Sequence, residues 1–98
     1  MIINNKNIPQ KWLITGGCGF IGTSLIKQLI KNDNIKQIRI LDNLSVGRKE
    51  DLRKICDFED NSQLQEKGIF LEVGNILDNK ICIEVSQGVD CIVHLAAN

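Results

Sequence analysis

Tyrosine is absent from these 98 residues, and histidine, tryptophan, methionine and proline each occur once. Without a phenol, the chain can carry out no tyrosyl acid/base chemistry of its own. With a single proline, turns and breaks fall to glycine and to Asn/Asp. Neither charge sign is in excess, since 12 basic residues balance 12 acidic ones, and this removes the electrostatic footprint of a protein that binds nucleic acid or an anionic membrane. No apolar run approaches the roughly 18 residues that a membrane-spanning helix needs. The polar start MIINNKNIPQK carries no signal-peptide pattern. The four cysteines, Cys18, Cys56, Cys82 and Cys91, form no CxxC pair and have no companion histidines. That excludes a zinc site, fits buried thiols in a reducing compartment, and makes the cytoplasm the expected setting.

What the chain does have is an ordinary globular composition, 43% hydrophobic, sufficient for one small domain with a modest core. Residues 1–10 read as a polar leader and residues 11–98 as the domain. Apolar runs of strand length alternate with helical patterns. KWLIT (11–15) predicts a first strand. The spacing of Ile21, Leu25, Ile26, Leu29 and Ile30 predicts a helix over 20–31 with those residues on its inner face. QIRILD (37–42) predicts a second strand, residues 48–58 a helix with Leu52, Ile55 and Cys56 on one stripe, IFLEV (69–73) a third strand, 79–86 a short helix, and DCIVHLAA (90–97) a fourth strand. Residues 60–67 read as a charged connector. Four apolar strands joined by helical crossovers imply an α/β fold with a parallel sheet covered on both faces. Right-handed crossovers give the order 3-2-1-4, the first half of a doubly wound sheet of the Rossmann type.

The stretch ITGGCGFIG (14–22) places four glycines between a strand and a helix. A helix that starts directly after a strand offers unpaired backbone N–H groups and a positive dipole end, which suit a phosphate. Gly16 then serves the tight turn, Gly19 the close approach of a pyrophosphate, and Gly22 the packing of helix on sheet. The pattern G-x-G-x-x-G also fits if read from Gly17, so the register stays open by one residue on spacing alone. Asp42 ends strand two, twenty positions after Gly22, where a carboxylate can accept the ribose hydroxyls and repel a 2′-phosphate. This favours NAD over NADP. Arg48, six residues further on, is the one group that could instead reach a 2′-phosphate, although it also reads as a solvated first-turn arginine.

TGGCGFIG, LDNLSVGRKEDL, LEVGNILD and VDCIVHLAA resemble, in that order, the cofactor-binding blocks of the extended short-chain dehydrogenase/reductase family, in particular its NAD-dependent sugar-nucleotide epimerases and dehydratases. The resemblance covers nearly the whole chain from Lys11 onward. It implies the register Thr15, Gly16, Gly19, Gly22. It further implies that the backbone of Phe20 and Ile21 meets the pyrophosphate, Asp42 and Asn43 the ribose, Asn75 and Ile76 the adenine, and that Leu95, Ala96 and Ala97 flank the cofactor beyond the fourth strand.

Two departures qualify that expectation. Asn75 stands where the family usually has aspartate, so adenine recognition is expected to weaken without being lost. The family's tyrosine and lysine in Y-x-x-x-K have no counterpart, since there is no tyrosine, and no catalytic residue is assigned. The chain is therefore expected to be the N-terminal, NAD-binding portion of an epimerase or dehydratase and to be inactive alone. A nucleotide-sugar substrate, and the open question of a homodimer, would belong to the complete enzyme. A non-catalytic dinucleotide sensor and an inert truncated fragment remain as alternatives. His94 reads as structural, Cys18 as a small residue in a tight loop, RKEDLRK (48–54) as a solvated helix face, and no metal site is expected.

Overall fold

A computed structural model describes residues 8–96. Residues 1–7, most of the polar leader, lie outside the described residues, as does Ala97, the last of the residues expected to flank the cofactor. The elements run β1 (Lys11–Thr15), α1 (Phe20–Leu29), β2 (Gln37–Asp42), α2 (Lys49–Arg53), β3 (Glu59–Asp60), a 3-10 turn (Asn61–Gln63), β4 (Gly68–Val73), α3 (Asn79–Ser86) and β5 (Cys91–His94). All strand pairs are parallel and the order is β3-β4-β2-β1-β5. The four strands predicted from the sequence thus take the order 3-2-1-4, and a fifth, two-residue strand is added at the edge.

Register explains how the sheet buries both faces. Leu71, Ile40, Ile14 and Val93 form one row across four strands. That row faces α1 and α2 and packs with Cys18, Ile26, Leu52 and Phe58 in the larger core. On the opposite face Leu13 and Leu41 meet Val85 of α3, with Ile76, Ile81, Cys82 and Val89 packed around them. Strand β2 is buried at all six positions, as a central parallel strand requires. Buried Arg39 on that strand is satisfied without a carboxylate: Nε donates to Gln37 Oε1 at 2.8 Å and Nη1 to the Val85 carbonyl near the end of α3 at 2.9 Å.

Several boundaries differ from the sequence expectation. Helix α1 ends at Leu29, and Ile21 and Ile30 are exposed instead of joining the core face, which Leu25, Ile26 and Leu29 supply. Helix α2 spans five residues and stops well before Phe58. Ile55, Cys56 and Asp57 are weak helix formers, and Phe58 has to leave the helix path to enter the core, where Arg53 covers its ring at 4.2 Å. The expected connector begins inside β3, whose Glu59 and Asp60 are exposed, charged and without a strand pattern. The last strand ends at His94, so Leu95 and Ala96 leave the sheet.

Candidate functional site: a glycine cradle at the carboxyl edge of the sheet

At the carboxyl ends of the strands, where β1 is flanked by β2 and β5, lies an open cavity of about 330 Å³. Its floor is the β1–α1 loop. Gly16 donates to the Leu41 carbonyl at 2.8 Å and has φ +74°, and a Cβ there would stand 2.8 Å from the Ala96 nitrogen. The Cys18 amide donates to Asp42 Oδ2 at 2.9 Å, and the Gly19 amide to the Gly16 carbonyl at 3.1 Å. The first bond of α1 runs from Thr23 N–H to Gly19 O at 2.9 Å. The amides of Phe20, Ile21 and Gly22 are therefore left without acceptors among the described residues. No side chain caps this end and no acidic residue stands in its first turn. Three free donors and a positive dipole end face the cavity, which is the electrostatic complement of a phosphate group.

The glycines divide into two kinds. At Gly22 a Cβ would collide with Gly16 O and the Gly17 backbone, and at Gly17 it would stand 2.6 Å from Ile40 Cγ2. Those positions, with Gly16, require glycine for the fold itself. Gly19 does not. Its backbone is extended at φ −74°, ψ 176°, which any residue adopts, and the nearest atom to an added Cβ is Gly16 O at 3.4 Å, an ordinary contact. Among the described residues nothing needs a glycine there, and a side chain at this position would have room in the cavity.

The far wall comes from the β2–α2 loop. Asp42 is 6% exposed; Oδ2 holds Cys18 N–H and Oδ1 accepts from Leu44 N–H at 2.7 Å. One acceptor position on each oxygen remains for a ligand. Leu44 sits at φ +61°, rare for a branched residue. Its bond to Asp42 and its packing on the larger core hold it there. Asn43 Oδ1 accepts from Ser45 N–H at 3.0 Å. Gly47 is buried, and a Cβ on it would run into the Cys18 carbonyl, so this loop presses directly on the glycine loop.

Of the residues expected from the sequence, Gly16, Gly19, Phe20, Ile21, Gly22, Asp42, Asn43, Ile76, Leu95 and Ala96 line the cavity. Asn75 does not: it is exposed, and its side-chain oxygen accepts from Leu77 N–H at 2.9 Å in its own turn. Leu41, Ser45, Val46, Gly47 and Gly74 were missed. The lone glycine in NLSVG was the signal for the three loop residues, and Gly74 lies just before Asn75 in LEVGNILD. Val46 and Phe20, each 88% exposed, form an apolar rim. Arg48 is exposed and lies off the lining. The Cys18 thiol, rather than being activated by the helix end, is pushed up to about 12 by burial and then by the neighbouring Asp42 carboxylate. Among the described residues no group of three metal-ligating side chains occurs, and no helix is long and apolar enough to cross a membrane.

Comparison with known proteins agrees with this geometry. The model of the 3-beta hydroxysteroid dehydrogenase/isomerase family matches residues 13–98. The chain is 34% identical over 85 residues to a putative UDP-glucose 4-epimerase of Methanocaldococcus jannaschii, covering 87% of this chain and 23% of that protein. It is 35% identical over 101 residues to a dTDP-D-glucose 4,6-dehydratase of Dictyostelium discoideum, covering 97% of this chain and 21% of that one. The fold is shared, at a TM-score of 0.70 and 23% identity, with the dTDP-glucose 4,6-dehydratase of Bacillus anthracis solved in complex with NAD; the match covers 91% of this chain and 27% of that one. The chain thus spans between a fifth and a quarter of the length of these curated relatives. By the family match, the order of its strands and the cradle at their carboxyl edge, the chain belongs to the 3-beta hydroxysteroid dehydrogenase/isomerase family, within the extended short-chain dehydrogenases/reductases that include the nucleotide-sugar epimerases and dehydratases.

Proposed function

We propose that this chain is the NAD-binding portion of a nucleotide-sugar epimerase or dehydratase. The observation that carries the reading is Gly19, a glycine the fold itself does not need, set beside the three free amides that begin α1. A pyrophosphate accepts from Phe20, Ile21 and Gly22 and occupies the space a side chain at residue 19 would fill. The remaining acceptor positions of Asp42 take the two hydroxyls of the adenosine ribose, with Asn43 at the edge. Ile76 lies against the adenine, while Asn75 stays outside the cavity with its carboxamide oxygen engaged by Leu77 N–H. Leu95 and Ala96 flank the far half of the dinucleotide.

When bound, NAD supplies a hydride acceptor that can return the hydride. The chain's own residues bind and orient it but supply no tyrosine to move the substrate proton. Nucleotide sugars are the substrate class of the complete enzyme, with the reacting groups contributed by residues other than these. Free Cys18, Cys56, Cys82 and Cys91 suit a reducing, cytoplasmic setting.

Calorimetric titration of NAD and NADP against the wild-type chain and Asp42→Ala tests this reading. A charge-assisted acceptor is worth roughly 1.5 to 3 kcal/mol, so the wild type prefers NAD and the variant loses about one to two decades of NAD affinity. Because Asp42 holds the Cys18 and Leu44 amides on its two oxygens, Asp42→Asn, which keeps an acceptor for one of them, is titrated beside it, and a thermal melt of each variant is the control for folding. Equal affinity for the two dinucleotides, unchanged in both variants, would remove Asp42 from the site.

A further inference from the structure

We infer that His94 is a positioning residue, locked as the neutral tautomer with its proton on Nε2, which acts through the Thr15 hydroxyl to hold the Leu95–Ala96 wall of the cofactor cavity. The hydrogen-bond count around Thr15 carries the inference. Its Oγ1 accepts from Leu95 N–H at 3.0 Å and from Ala96 N–H at 3.3 Å, and lies 2.7 Å from His94 Nδ1. A hydroxyl has two lone pairs and one proton. The two amides fill the lone pairs, so the contact with His94 must be the one in which Thr15 donates, and Nδ1 must be unprotonated. A proton on Nδ1 would give Oγ1 a third donor to accept from and leave its own hydrogen without a partner at the site.

The consequence reaches the cavity because Leu95 and Ala96 line it. Leu95 N–H also bonds to the Thr15 backbone carbonyl at 3.0 Å, so it is doubly held. Among the described residues, Ala96 N–H has Thr15 Oγ1 as its single partner. Ala96 is also the residue whose nitrogen a Cβ at Gly16 would meet at 2.8 Å. The acceptor at Nδ1 therefore orients the hydroxyl, the hydroxyl holds Ala96, and Ala96 stands against the first turn of the glycine loop. Imidazole bulk plays no part, because His94 is exposed and its only hydrogen bond among the described residues is through Nδ1. The link to cofactor affinity rests on the NAD reading above, whereas the tautomer and the hold on Ala96 do not.

The test has two arms. In the wild-type chain, long-range ¹H–¹⁵N NMR of the His94 ring is expected to show the Nε2–H pattern, with slowed hydrogen exchange at the Ala96 amide. NAD affinity is then compared between two substitutions that move the acceptor differently. His94→Asn places an oxygen where Nδ1 stood and is expected to stay within about threefold of wild type. His94→Gln moves it beyond reach and is expected to weaken binding about tenfold, the equivalent of one modest hydrogen bond. A ring protonated on Nδ1, or equal affinities in the two variants, would overturn the inference. If the wild type binds no NAD, the cofactor reading falls, while the tautomer and the Ala96 exchange rate still decide for or against the lock.

Discussion

Gly16 and Gly19 stand three residues apart and differ in kind, one demanded by a left-handed turn against Ala96 and the other by nothing among the described residues. Their spacing was legible in the sequence, but this division was not, because it depends on what surrounds each Cα in space. Asp42 was likewise legible, by its distance from the glycines, as a carboxylate in the wall of the cavity. Its hold on the Cys18 amide was hidden because that amide reaches it only once β1 and β2 are paired, whereas its bond to Leu44 N–H is a local turn two residues on. Cys18 follows from the same contacts. Its thiol rises from the ordinary 9.0 to about 12, through burial first and then the Asp42 carboxylate. Between those values the folded chain keeps a proton that the unfolded chain has released, so stability falls as pH rises through that window. Equilibrium denaturation between about pH 8 and 10.5 should therefore show a shallower alkaline loss in Cys18→Ala than in wild type. Iodoacetamide should leave native Cys18 unmodified. Identical slopes, or ready alkylation of the folded chain, would contradict the placement of this thiol.

Among the elements, strands declared themselves better than helix ends. QIRILD and IFLEV read as strands of a sheet covered on both faces because apolar residues run through both of their faces, and both were found within a residue of their expected limits. Strand β3 was invisible, since Glu59 and Asp60 carry no such pattern and pair with β4 only because buried Phe58 delivers the chain to that edge. Helix α1 kept its predicted start and ended two residues early, at Leu29. Ile21, assigned to the core by spacing, faces outward at the cavity mouth because the helix begins over the cavity and not over the sheet. Helix α3 was found where expected, Asn79–Ser86, with Asp78 Oδ1 accepting from Lys80 N–H at 3.0 Å and Ile81 N–H at 3.2 Å. Among the described elements it is the helix that covers Leu13 and Leu41. Removing this cap in Asp78→Ala should cost about 1 kcal/mol of stability. Urea denaturation would show it as a lower midpoint at an unchanged slope, and an unchanged midpoint would mean that α3 contributes little to the cooperative unit.

For the molecule as a whole, the sheet is covered unevenly. Two helices and a large core protect one face, while on the other β5 leaves Ile92 55% exposed and one strand edge unpaired among the described residues. Such edges recruit other chains. The purified 98-residue chain should accordingly associate as its concentration rises, seen by light scattering. It should also show no turnover of UDP- or dTDP-sugars, because general acid/base assistance worth about 10² to 10⁴ in rate has no tyrosine to provide it. Measurable turnover by this chain would overturn the division of labour proposed for it. What the whole molecule is built to do, on this account, is present an open cradle to a pyrophosphate, and Gly19 separates that purpose from the needs of the fold. The most direct test measures NAD affinity and thermal stability together in wild type, Gly19→Ala and Gly19→Val. The cradle predicts melting temperatures within a few degrees of wild type, as expected for substitutions worth less than about 1 kcal/mol, with NAD binding weakened in Gly19→Ala and abolished in Gly19→Val. Near-normal NAD affinity in a folded Gly19→Val chain would contradict it.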